Sequence, residues 1–244
     1  MKHTYIYMVL LAAFMAFSCA KESEPGKGRV VLTLSGDYHL TEVVTKGLVS
    51  DYVALPSADD FYLKITDETS SVAWEGMFSE WDEDMILLEG QYNVSASCGS
   101  LEEEGFGKPY FFASKDFVVT GGQTVEVALT AALANTIIKV AATENFRNAY
   151  DDWSFSLSRS GAVIVQYEKD DSRGAFIDGY QICFEGVLSR GGKTYALKQE
   201  YTALDPATAY TITVDTDNIG KLSILIKFND EVEVVDLGDL ELNE

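Results

Sequence analysis

The chain has 244 residues and a formal net charge of −21, with 39 acidic against 18 basic side chains. Such a charge repels nucleic-acid phosphates and anionic lipid head groups, which excludes a nucleic-acid partner. Hydrophobic residues make up 47% and aromatics 12%, enough to bury a core and too many for a disordered chain.

At the start, Lys2 precedes an apolar run from Tyr5 to Phe17, and small residues at Ala16 and Ser18 stand before Cys19. These are the parts of a secretory signal. The run is too short to cross a bilayer, which takes roughly 20 apolar residues. A cysteine directly after such a signal predicts cleavage and lipid attachment. Residues 1–18 therefore read as a lipoprotein signal peptide and Cys19 as the lipidated N-terminus, although Ala16 stands where Leu is usual and Phe17 where a small residue is usual. Several acyl chains on Cys19 hold a protein stably at a membrane, where one chain does not. Residues 19–28, with Pro25, Gly26 and Gly28, read as a tether. The expected location is a membrane, where the lipid anchor on Cys19 holds the chain.

Beyond the tether, apolar residues alternate with period two. Val30, Leu32 and Leu34 form one stripe; Phe61, Leu63 and Ile65 another; Val125, Val127 and Leu129 a third; Leu222, Ile224, Ile226 and Phe228 a fourth. Turn clusters separate them at Thr120-Gly121-Gly122-Gln123 and Arg190-Gly191-Gly192-Lys193, the second reading as a hairpin tip. One short helix is predicted over 143–150, where Thr143 can cap and Phe146 and Tyr150 are four apart. The pattern is all-β.

A weak internal repeat divides the chain. Phe61-x-Leu63-x-Ile65 corresponds to Trp153-x-Phe155-x-Leu157, and the Leu88 to Tyr92 turn and strand to Leu204 to Tyr210. The predicted architecture is two tandem β-sandwich domains, at 29–131 and 132–244, with 128–134 read as the crossover. Of the cysteines after Cys19, strand phase puts Cys98 on an apolar face and Cys183 on the outward face of Gln181 and Glu185, so both read as free.

An ordered set of short motifs carries a family resemblance: Thr45-Lys46-Gly47, Ala58-Asp59-Asp60-Phe61, Leu88-Glu-Gly-Gln-Tyr92, Ala96-Ser-Cys98-Gly99, Lys108-Pro109-Tyr110-Phe111 and Leu129-Thr-Ala-Ala-Leu133-Ala134-Asn135. The set resembles a Bacteroides-type family of cell-surface lipoproteins known only as a domain of unknown function, fimbrillin-like in architecture. The charged run Lys21-Glu22-Ser23-Glu24 is similar to the surface-export signal of such lipoproteins, which implies an outer-membrane location, lipid-anchored and exposed at the cell surface. The resemblance implies transthyretin-like or Ig-like sandwiches, a surface location and an adhesive or pilus-related role. It carries over no catalytic residues. Lys46 stands where Arg is usual, which weakens an expectation of Arg-specific proteolytic maturation.

Catalytic chemistry finds little support. After the leader the only histidine is His39, in an expected loop, and no G-x-S-x-G supplies a nucleophile elbow. There is neither a histidine pair nor a Cys-x-x-Cys for zinc. The acid clusters Asp82-Glu83-Asp84, Glu102-Glu103-Glu104 and Asp170-Asp171 fall in expected turns, where solvated charge is the default. Asp215-Thr-Asp217-Asn-Ile-Gly220 starts like a calcium loop but places Ile219 and Ile226 where oxygen ligands are required. The best ligand patch in the sequence is Trp74 and Trp81 beside Glu75, Glu80 and Asp82; tryptophans next to carboxylates stack on sugar rings, while Trp74 also alternates with Val72 as a core residue does. The reading is a non-enzymatic surface lipoprotein without metal or cofactor. Its expected role is that of an adhesin or pilus-type structural subunit, anchored at Cys19 and contacting other subunits through a strand edge. The alternative is a glycan-binding accessory lipoprotein of a polysaccharide-uptake system, with Trp81 and Trp74 as ligand-binding residues.

Overall fold

Alternation of apolar and polar side chains produces strands almost throughout the computed structural model, which describes residues 26–42, 47–216, 223–228 and 231–236. The first part of the chain gives β1 (Lys27–Asp37), β2 (His39–Glu42), β3 (Gly47–Leu48), β4 (Tyr62–Asp67), β5 (Val72–Met77), β6 (Ile86–Leu88), β7 (Gly90–Cys98), β8 (Gly105–Phe106), β9 (Phe111–Val119) and β10 (Thr124–Leu133). The second gives β11 (Thr136–Ala142), the helix α1 (Glu144–Ala149), β12 (Asp152–Arg159), β13 (Ala162–Tyr167), β14 (Ala175–Ile177), β15 (Gln181–Arg190), β16 (Lys193–Thr202), β17 (Thr208–Thr216), β18 (Ser223–Phe228) and β19 (Glu231–Asp236). The fold is all-β.

In the first part the strand order is β5-β4-β7-β9-β10-β1-β6. β9 and β10 join only through Phe111↔Leu133 and Phe112↔Ala132, so the sheet divides into a four-stranded layer and a three-stranded layer. Phe61, Leu63, Ile65, Val94, Ala96, Phe117 and Val119 from the first layer pack against Val30, Leu32, Val127 and Leu129 from the second. In the second part the layer β13-β12-β15-β16 faces a sheet containing β17, β11 and β14, and Phe155, Leu157, Phe184 and Leu197 pack against Ile138, Val140, Ile177 and Ile212.

The two parts repeat one plan. β1 runs parallel to β10 and antiparallel to β6; β11 runs parallel to β17 and antiparallel to β14. β4 and β12 occupy the same place, and each has a bulge against its hairpin partner, after Ile65 and after Leu157. The repeat read at Phe61 and Trp153 is therefore structural. The second correspondence is not. β7 matches β15, whereas Tyr210 lies on β17, the counterpart of β10. What misled was a local device shared by unrelated positions: Tyr92 Oη donates to Leu88 O (3.0 Å), and Tyr210 Oη accepts from Asp205 N (3.1 Å).

The parts are not separate beads. β2, β3 and β8 join the sheet of β11, β14 and β17, and that sheet faces both cores, giving Ile137, Phe176 and Ala209 to the first and Ile138, Ala175 and Ile177 to the second. The boundary expected between 131 and 132 falls inside β10, and 128–133 is strand rather than crossover because β1 and β10 form one continuous ladder. Lys27 and Gly28, assigned to the tether, are already in β1, paired with Leu88 and Leu87. The helix forms where expected: Thr143 Oγ1 accepts from Phe146 N (3.2 Å), and the rings of Phe146 and Tyr150 stack 4.8 Å apart. No helix among the described residues is long and apolar enough to cross a membrane.

Candidate functional site

The four-stranded layers turn their outer faces to solvent, and strand register fixes what each displays. On the first, one row is Met77, Tyr62, Ser97 and Phe112, and the next is Glu75, Lys64, Ser95 and Ser114. On the second, Gln166, Ser156, Glu185 and Lys198 form a polar line across all four strands, beside a row of Ser154, Val187 and Ala196. Because Phe61 matches Trp153, Tyr62 matches Ser154 and Lys64 matches Ser156. Where the first face carries two large side chains, the second carries two hydroxymethyl groups. A concavity of about 460 Å³ lies on this second face, over β12 and β15. Glu185 is held there by Ser158 Oγ, which donates to Oε2 (3.0 Å), and by Lys198 Nζ at 3.8 Å from Oε1.

The edges differ as well. β9 faces its own hairpin partner β10 across a gap closed at Phe111 and Phe112 and at the Thr120–Gln123 turn; in the middle Lys115 Nζ donates to Ala128 O (3.1 Å). Its counterpart β16 pairs with β15 alone among the described residues. The connection after β16 is drawn away from that edge, since Ala203 N bonds Tyr180 O, Leu204 N bonds Gly179 O and Ala207 N bonds Asn135 O. The two-residue turn at Gly191 and Gly192, both with positive φ, makes Arg190 and Lys193 a hydrogen-bonded pair. By alternation Thr194, Ala196, Lys198, Glu200 and Thr202 turn their backbone groups to the open side.

Three residues, named above only as members of an acid cluster or a motif, fix how these surfaces sit. The Glu104 carboxylate takes both Arg159 Nη1 (2.5 Å) and Nη2 (3.0 Å) and also accepts from Asp178 N (2.6 Å), clasping the loop before β8 to the second sandwich. Buried Asn135 accepts from Tyr110 N through its side chain and from Ala207 N through its backbone. This contact explains why Lys108–Phe111 and Leu129–Asn135 belong to one motif set. Gly99, with φ of 84°, belongs to it for another reason: a β-carbon there would collide with the Pro109 carbonyl.

The sequence-predicted residues are placed as follows. Trp74 pairs with the buried Ile65, and its ring meets that of Trp81 edge to face at 5.1 Å; both are partly buried against the first core, and Trp81 Nε1 is buried without a hydrogen-bond partner among the described residues. His39 opens β2 rather than lying in a loop and is exposed, with Nδ1 2.7 Å from Asp37 Oδ1; that contact holds the Asp37 carboxyl below its ordinary range. Cys98 and Cys183 are both free. Cys183 does lie on the outward face, yet it is buried, with Ser158 as its direct neighbour across the ladder. Burial raises its thiol, with Glu185 adding to the shift; burial raises Cys98 too, with a contribution from Asp60. The carboxyls of Asp60, Asp67, Glu103 and Asp171 are pulled down, by Ser57, Thr69, Lys108 and Arg173 respectively. A general acid needs the opposite shift. No group of three or more potential metal ligands occurs among the described residues. Residues 1–18, Cys19, Lys46 and residues 217–220 of the calcium-loop-like segment lie outside the described residues.

No curated protein matches the chain. Solved structures follow its path at low identity. A protein assigned to cell adhesion from Bacteroides eggerthii is 12% identical, with TM-score 0.46, covering 87% of this chain and 95% of its own. Proteins assigned to polysaccharide binding from Bacteroides thetaiotaomicron are 10% identical, with TM-score 0.47 and coverages of 85% and 98%. A fimbrial assembly protein from Parabacteroides distasonis is 8% identical, with TM-score 0.44 and coverages of 86% and 98%. The sequence profile of the family described as "Domain of unknown function (DUF4493)" matches residues 26–238, and the chain belongs to that family.

Proposed function

We propose that the protein is a non-enzymatic surface lipoprotein that works as an adhesin or pilus-type interaction subunit. Acyl chains on Cys19 hold it at the outer membrane, and the tether lifts the two sandwiches clear. The observation that supports this reading is the edge of β16, ten residues long and paired on one side only among the described residues. Such an edge offers a row of backbone donors and acceptors to an added strand. β1 is a poor exchangeable element by comparison, because its ladder to β10 runs from Arg29 to Asp37 and β6 covers its other side at Lys27–Arg29.

The test is made in cell envelopes. Glu200→Pro removes one outward N–H from the β16 edge while sparing the ladder to β15. High-mass, SDS-resistant species containing the wild-type protein are expected, and Glu200→Pro abolishes them. A wild-type protein that stays strictly monomeric in envelopes contradicts the reading. Protease accessibility on intact cells, wild type against Cys19→Ala, tests the anchor; protection of the wild type overturns the surface assignment. A second reading, a glycan-binding accessory lipoprotein of a polysaccharide-uptake system, is favoured by the concavity over β12 and β15.

A further inference from the structure

We infer that the concavity on the outer face of the second sandwich is a binding site for a neutral, hydroxyl-rich glycan segment; this rests on the glycan-binding reading above. Its volume of about 460 Å³ falls within the roughly 300–1,000 Å³ common to small-ligand sites. The hydroxyls of Ser154 and Ser156, the amide of Gln166, the carboxylate of Glu185 and the ammonium of Lys198 converge on it. Val163 and Val187, 61% and 53% exposed, flank it with apolar surface suited to the C–H side of a sugar ring. The polar line crosses four strands, about 14 Å at about 4.8 Å per strand spacing.

Three arguments select the ligand class. The site lies on the face of a sheet, where backbone groups run in the plane of the strands, into the ladders of β12 and β15 or out along the β16 edge, and not out of the face. It can therefore recognise only what side chains recognise, which favours a ligand bearing its own donors and acceptors on several sides over an extended peptide that needs backbone pairing. The charge of −21 repels anionic ligands from the whole molecule. Inside the site Glu185 and Lys198 compensate each other at 3.8 Å, so a neutral ligand leaves neither charge unmatched. The internal duplication supplies a control, because the same face of the first sandwich holds Tyr62 and Lys64 where the concavity has Ser154 and Ser156. The sheet accommodates those larger residues at the matching positions, which gives a variant that fills the site without disturbing the fold.

The full-length protein, purified in detergent, is tested against immobilised neutral oligosaccharides from glucan, mannan and galactan, with a sulfated oligosaccharide and an extended peptide beside them. The inference predicts that the wild type retains a neutral oligosaccharide. Ser154→Tyr/Ser156→Lys weakens that binding by about tenfold or more, and Glu185→Gln weakens it by a similar factor, as expected for loss of a charge-assisted hydrogen bond. Circular dichroism confirms that both variants keep the wild-type fold, and Glu185→Gln decides the matter alone if the double variant does not. If the wild type retains a neutral oligosaccharide and the folded variants bind it equally well, the glycan reading stands and this site is wrong. If the wild type retains only the sulfated sugar, the glycan reading stands and the neutral site is wrong; if it retains none, or only the peptide, both fall.

Discussion

The two sandwiches share a plan and differ in what they leave uncovered. In the first, Tyr62 and Lys64 fill the outer face, and β9 is closed against β10 at both ends and bridged by Lys115. In the second, Ser154 and Ser156 leave a hollow and β16 keeps an open edge. The same ladder order thus closes the β9 edge in one body and leaves the matching β16 edge open in the other, with a few side chains and one redirected connection making the difference. The contact surfaces proposed above both lie on the second sandwich, and in that proposal the first serves as its scaffold.

The largest expected effect tests whether scaffold and contact body are one folding unit. Phe155→Ala opens a cavity in the second core, with a cost of about 3–5 kcal/mol, and Leu63→Ala in the first, with a cost of about 2–5 kcal/mol. Since the sheet of β11, β14 and β17 serves both cores, either change lowers the denaturant midpoint of the entire chain in a single transition. Tryptophan fluorescence follows it, with Trp74 and Trp81 packed in the first core and Trp153 in the second. Two separated transitions break the comparison into independent domains.

Next comes the clasp between them. The Glu104 side chain is 11% exposed and Arg159 29%, so Glu104→Ala leaves a guanidinium and the Asp178 N–H short of a partner and costs roughly 2 kcal/mol. The neighbouring pair Glu103 and Lys108 is exposed at 2.9 Å, and Glu103→Ala costs clearly less than Glu104→Ala because solvent screens the pair. Equal losses for the two variants in denaturant melts remove the clasp from the account. Thr143→Ala costs about 1 kcal/mol by uncapping α1, and the loss of the Thr143 bond to Asp215 Oδ1 (2.6 Å) adds to it.

The smallest effect is acid sensitivity. Asp60 and Asp67 in the first sandwich and Asp171 in the second sit below the usual carboxylate range, held by Ser57, Thr69 and Arg173. In the unfolded chain each returns to about 3.9, so below that pH the unfolded state binds more protons than the native one. Their stabilisation is present above pH about 4 and is lost as pH falls through the depressed folded values. Melting temperature measured against pH is expected to drop in that window, with a shallower drop in Asp67→Asn. An unchanged slope shows that the Thr69 contact contributes nothing.

Much of this was legible in the sequence where the cause is local. Period-two stripes, the Gly191-Gly192 turn and the Thr143 cap act within a few residues and appeared where expected. The Phe61 and Trp153 repeat was legible because a buried three-residue stripe keeps its spacing. The clasp was not, because Glu104 and Arg159 are 55 positions apart and Glu104 reads as one of three adjacent acids. Burial of Cys183 was not either: strand phase gives the face, but only the neighbouring strands decide whether that face is covered. The hollow depended on comparing Ser154 and Ser156 with Tyr62 and Lys64, a match that needs the ladder register. Pairing of β8 with β14 joins residues about 70 positions apart, and no local pattern announces it.

Amide hydrogen exchange along β16 in the intact protein tests the contrast most directly. If its edge is open, the amides of Thr194, Ala196, Lys198, Glu200 and Thr202 exchange rapidly while those of Tyr195, Leu197, Gln199 and Tyr201 are protected by β15. Protection of both sets in the monomer means that the edge is already covered, and the contact role assigned to it is contradicted.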